Sequence, residues 1–125
     1  MIRKTLILTA IYGALGVIFG ALGAHAFKSF MSANDLMNYK TAVFYQMIHV
    51  LAVLAVNAYP QISRRNKIMI SHSFLTGITL FSGSLFLISL HVVPAKSIWF
   101  ITPLGGIFLI IGWIFTIFAF YKIHK

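Results

Sequence analysis

The sequence predicts an all-α, integral-membrane four-helix bundle, and three observations carry that prediction. Of its 125 residues 60% are hydrophobic and only 9% charged, where a soluble domain has about a quarter charged and cannot cover its surface with less. The apolar residues gather into four runs, each near the ~20 residues that a helix needs to cross a bilayer. Alternation with a period of two is absent, which excludes the strands of a membrane barrel.

The predicted spans are residues 5–26, 41–59, 68–90 and 98–120, in a single transmembrane domain, 1–125. The first starts behind Arg3 and Lys4 and ends at Ala24-His25-Ala26, an A-x-A triplet of the signal-peptidase kind. A signal peptide has an apolar core of about 7–15 residues. This run is longer and carries glycines suited to helix packing, so the segment is expected to be kept. The second span, "TAVFYQMIHVLAVLAVNAY", holds Tyr45, Gln46 and His49. The third contains "FSGSLF", and the fourth opens with Thr102 and Pro103. The connection 27–40 includes Phe27, Phe30, Met31, Leu36, Met37 and Tyr39, too apolar for a free linker. It is expected to lie in the interface as a short amphipathic helix. Ser32 and Asp35 stand there in the spacing of a capping box.

The net charge of +9 comes from short basic clusters between the apolar runs. That pattern points to anionic lipid headgroups and not to a nucleic-acid partner. Arg3, Lys4, Arg64, Arg65, Lys67, Lys122 and Lys125 fall on one side of a four-span chain. Lys28, Lys40 and Lys96 fall on the other, partly offset by Asp35. The excess predicts that both termini are cytoplasmic. Tyr59, Trp99 and Tyr121 lie near span ends, where aromatic belts form.

Several chemistries are excluded outright. There is no cysteine, hence no disulfide, thiolate nucleophile or cysteine-held metal. Asp35 is the one acidic residue, so paired-carboxylate catalysis and carboxylate metal cages cannot be built within one chain. No G-x-S-x-G, H-E-x-x-H, Walker A or G-x-G-x-x-G motif occurs. A Ser82–His49 pair would lack an orienting carboxylate. The chain is not expected to be an enzyme or to hold a cofactor or metal.

What remains is glycine and in-membrane polarity. Gly13, Gly16, Gly20 and Gly23 fall within an arc of roughly 80° at about 100° per residue, and Gly16 and Gly20 form a G-x-x-x-G. This smooth face is expected to pack against another span of the chain or, in a homo-oligomer, against a second copy. Gly83, Gly105 and Gly106, with Gly77 and Gly112, extend the packing to spans three and four. Polar groups inside a membrane are costly unless partnered. His25, Tyr45, Gln46, His49, Ser82, Ser84 and Thr102 have compatible depths for one polar layer in the outer half. Four roles are open to it: a hydrogen-bond network that fixes helix register, a pocket for a ligand or lipid headgroup, a proton or ion path through His49, and a haem or metal site. His72 lies on the opposite side, too far away to join. His91 is expected to be solvated, and His124 sits in the tail.

"GALGAHAF", "YKTAVFYQMIHVLAVL", "FSGSLFLISL" and "ITPLGGIFLIIGWI" occur in that order over nearly the whole chain. Together they resemble the YwdK/YgdD-type family of uncharacterised (UPF) small bacterial membrane proteins. The family pattern Y-Q-M-x-H is carried by Tyr45, Gln46, Met47 and His49, S-G-S by Ser82, Gly83 and Ser84, and T-P-x-G-G by Thr102, Pro103, Gly105 and Gly106. The usual G-A-H-G-L reads Gly23-Ala24-His25-Ala26-Phe27 here, without the helix-breaking glycine. The resemblance implies a multi-pass protein of the inner membrane that keeps its first span. It also implies a role in membrane integrity, and no catalytic residues. The functional expectation is a membrane-stabilising, partner-binding or lipid-binding protein. A small transporter or proton-conducting protein using His49 is the alternative.

Overall fold

Helix α1 covers Ile2–Ala24, α2 Ala33–Ala58, α3 Arg64–Ser89 and α4 Ile101–Tyr121, with short 3-10 turns at Ala95–Ser97 and Lys122–His124. These come from a computed structural model, which describes residues 2–124 and, for His124, the backbone alone. Lys125, counted above among the basic residues of the tail, lies outside the described residues, as does the side chain of His124. Each of the four helices is long and apolar enough to cross a membrane, and no strand occurs among the described residues. The predicted fold class therefore holds.

Helix ends differ from the predicted spans for local reasons. Helix α2 starts at Ala33, inside the stretch read as an interfacial loop, because Ser32 caps it. The Ser32 Oγ accepts from the Asp35 N–H at 3.1 Å and donates to Asp35 Oδ2 at 2.6 Å. Asn34, Asp35, Asn38 and Lys40 make the first turns of α2 polar while keeping them helical. Helix α3 likewise begins early, at Arg64, where Ser63 Oγ accepts from the Asn66 N–H. Pro60, just past the end of α2, cannot continue a helix. Pro103 falls in the first turn of α4, where its missing N–H costs nothing. Helix α1 stops at Ala24 and the chain turns without any glycine at positive φ.

Helix α3 ends in a Schellman motif. Val92 N–H reaches Leu87 C=O at 3.0 Å and His91 N–H reaches Ile88 C=O at 3.0 Å. His91 holds the left-handed position (φ 57°) that glycine ordinarily fills. Its ring explains the choice, because Nε2 lies 3.1 Å from Asp35 Oδ2 and ties the end of α3 to the start of α2. His91 is exposed but paired, not merely solvated.

Helix α3 is the centre of the bundle. Half of its most apolar stretch is buried, against 17% in α1 and 28% in α4. Helix α4 packs on α3, α2 on α3, α1 on α2, and α1 only lightly on α3. The core includes Val50, Val53, Ile70, Phe74, Ile78 and Leu109.

Glycine decides which neighbour each outer helix chooses. A Cβ at Gly16 would stand 2.5 Å from Met47 Sδ, and one at Gly23 2.5 Å from the Tyr39 ring; Gly13 and Gly20 face Val50 and Val43. The glycine face of α1 is thus taken up by α2 of the same chain. On the other side, Gly105 lies against the Phe81 backbone, Gly77 against Leu109, and Gly112 against the Phe74 ring. Gly106 has only ordinary contact with Phe81. A Cβ at Gly83 would meet nothing within 4 Å among the described residues, which corrects its reading as a packing residue.

Because α1 leans on α2 and α4 leans on α3, two crevices remain open. One runs between α1 and α3, the other between α2 and α4.

Candidate functional site

The α2–α4 crevice holds the residue on which the functional reading turned. It has a volume of about 390 Å³ and is lined by Phe44, Tyr45, Ile48, His49, Phe81, Leu109, Ile110 and Trp113. His49 is only 4% exposed. The Trp113 indole N–H, which can only donate, meets His49 Nε2 at 3.1 Å. Nε2 is therefore the acceptor nitrogen, and the ring proton sits on Nδ1, which donates to Tyr45 C=O at 2.7 Å. Both nitrogens are occupied and the imidazole is neutral. Phe74 and Tyr45 cover the ring, with centroids at 5.2 and 5.8 Å. No lone pair is left to ligate a metal, and no proton is free to pass on.

The other expected residues are also spent on neighbouring helices. Gln46 Nε2 donates to Tyr12 C=O on α1 at 2.6 Å. Ser82 Oγ donates to Ala42 C=O on α2 at 2.7 Å, so its proton is not directed at His49 as a Ser82–His49 pair would require. Ser84 Oγ and Thr102 Oγ1 join α3 to α4 at 2.6 Å. Tyr45 is 38% exposed and works through its ring, stacked on His49 and 4.6 Å from Phe81. His25 stands apart: it is exposed in the turn after α1, and its ring has no partner among the described residues.

The expected single layer in the outer half is therefore replaced by a ladder of pairwise bonds along the bundle. The early start of α2 leaves His49 closer to the end of that helix than to its start. Further rungs were not anticipated from sequence. Tyr39 Oη donates to Phe19 C=O at 2.8 Å, Tyr12 Oη pairs with Thr79 Oγ1 at 2.6 Å, and Asn57 Nδ2 donates to Ser71 Oγ at 2.8 Å. Lys67 Nζ adds a bond to Asn57 C=O at 2.9 Å. Aromatic residues in apolar runs gave no sign of their polar handles, and Trp113 was the one that mattered most. No group of three possible metal ligands is found among the described residues.

The α1–α3 crevice differs. Of about 380 Å³, it is lined by Lys4, Thr5, Leu8 and Tyr12 from α1 and by His72, Leu75, Thr76 and Thr79 from α3. Its α1 wall is formed by the first turns of that helix, next to Arg3, and its α3 wall by the middle of Arg64–Ser89.

Comparison with known proteins places this architecture among small membrane proteins. Residues 19–106 match the family model described as protein of unknown function (DUF423). The chain is 36% identical to a UPF0382 membrane protein of Haemophilus influenzae over 122 residues, covering 98% of this chain and 97% of that protein. It is 34% identical to a UPF0382 membrane protein of Staphylococcus saprophyticus over 118 residues, with 94% and 97% covered. It is 38% identical to the UPF0382 inner membrane protein YgdD of Escherichia coli K12 over 115 residues, with 89% and 84% covered. No solved structure matches the chain.

Proposed function

This chain belongs to the DUF423 family, and from its geometry we propose that it is a non-enzymatic structural protein of the inner membrane that stabilises the bilayer region around it. The observation that carries this reading is the saturation of His49, held between Tyr45 C=O and the Trp113 indole. A proton path or ligand site needs a polar group with a free valence, and at this position the valences are used for packing. Gln46, Ser82 and the Ser84–Thr102 pair likewise each commit a hydrogen bond to a neighbouring helix. Bonds of this kind inside membranes are worth about 0.6–2 kcal/mol each, so a ladder of them fixes helix register and rigidifies the bundle. Both termini face the cytoplasm, following the basic excess at the end where α1 and α3 begin.

Reconstitution into vesicles carrying an internal pH dye tests the reading against its rival, a proton conductor built on His49. The expected result is no proton flux with the native chain and reduced thermal stability for His49→Gln. A flux that disappears in a folded His49→Gln variant would establish the conductor instead.

A further inference from the structure

We propose that the α1–α3 crevice is a binding site for an anionic phospholipid of the adjoining leaflet. Its phosphate would sit at Lys4 and His72, its ester region against Thr76, and its acyl chain along Leu8 and Leu75. The first observation is unspent polarity. Lys4, His72 and Thr76 line the crevice and are exposed, and none of them has a hydrogen-bond or ion-pair partner among the described residues. His72 and Thr76 lie inside the third span, away from bulk water, and Lys4 stands at the edge of the first, at the depth of lipid headgroups, so a lipid can supply the partner. Their spacing fits one molecule. His72 and Thr76 are four apart on α3, and Lys4 and Leu8 are four apart on α1, so each pair shares a helix face along the same groove.

The second observation is charge. The chain has a single acidic side chain, Asp35, and it is engaged with His91 at the opposite end of the bundle. No other acidic side chain exists to neutralise Lys4 or the adjacent Arg3. A phosphodiester supplies that charge and accepts the N–H and O–H donors together. A second copy of the chain would bring another basic end into the groove and be repelled. A free anion would leave the exposed Leu8 uncovered.

Native mass spectrometry of the full chain released from vesicles of equal parts phosphatidylcholine and phosphatidylglycerol reads the site directly. The expected result is selective retention of phosphatidylglycerol, falling about fivefold in Lys4→Gln and further in Lys4→Gln/His72→Gln. Lys40→Gln, at the other end, should retain as much as the native chain. Thr76→Val removes one donor without touching charge and should weaken retention less than Lys4→Gln. All these side chains are exposed, so unchanged melting temperatures are expected and would show that the variants are folded. Equal retention of both lipids, undiminished retention in the double variant, an equal loss in Lys40→Gln, or a lipid-free dimer would each overturn the site.

Discussion

The two crevices are alike in origin and opposite in chemistry. Each exists because an outer helix leans through glycines onto one neighbour and away from the other. In the α2–α4 crevice the polar residue is buried and both its nitrogens are used. In the α1–α3 crevice Lys4, His72 and Thr76 are exposed and have no hydrogen-bond partner among the described residues, although Tyr12 and Thr79 beside them bond to each other. A membrane-embedded histidine draws attention because burial of a polar group is costly. The contrast teaches that polarity alone does not mark a site. Unspent hydrogen-bonding capacity does, and it is found at His72 and Thr76, not at His49.

The comparison can be broken first at the glycines that create it. A Cβ at Gly105 would collide with the Phe81 backbone, which cannot swing aside as a side chain can. Gly105→Ala is expected to lower stability by about 3 kcal/mol and to loosen α4 from α3, as measured by denaturant or thermal unfolding in micelles. Gly83→Ala, facing open space, should leave unfolding unchanged or raise stability by up to ~1 kcal/mol through helix propensity.

Next is the rung inside the α2–α4 crevice. Trp113→Phe removes the indole donor from His49 Nε2, and His49→Gln removes the acceptor. Each single change should cost about 1–3 kcal/mol. In a double-mutant cycle the pair should show coupling of about 0.6–1.7 kcal/mol. Additive effects would mean that the bond does not hold α2 to α4.

A serine pair gives a smaller and sharper contrast. Ser82 bonds across to α2, whereas Ser89, also buried, has an Oγ with no partner among the described residues. Ser82→Ala should cost about 1 kcal/mol, and Ser89→Ala should be neutral or slightly stabilising. The smallest effect is expected for His91→Gly. Relief of the left-handed backbone, roughly 1 kcal/mol, is offset by loss of the exposed, solvent-screened contact with Asp35. Thermal unfolding of both serine variants and of His91→Gly checks these values.

Much of this molecule is legible in sequence, for reasons visible at particular residues. The spans announce themselves because lipid tolerates no other long apolar element. The glycine arc of α1 follows from helical periodicity alone, and its partner proves to be α2. The Ser32–Asp35 cap is legible in sequence, but the polar Asn34, Asp35, Asn38 and Lys40 set this stretch apart as a separate interfacial connection, whereas it is the start of α2 itself. The polar ladder was hidden for a different reason. Gln46, Ser82 and Tyr39 bond to carbonyls of Tyr12, Ala42 and Phe19, and a backbone acceptor leaves no mark on residue identity. Depth compatibility grouped His25 with His49, but the turn after Ala24 leaves the His25 side chain outside the bundle.

The most direct test of the central claim is the nitrogen-15 NMR spectrum of the His49 ring in the native chain and in Trp113→Phe, in bilayers at neutral pH. The account predicts a single neutral tautomer protonated at Nδ1, with an Nε2 resonance that moves when the indole donor is removed. A proton on Nε2, or exchange between two tautomers in the native chain, would mean that His49 keeps a mobile proton and is not a spent structural rung.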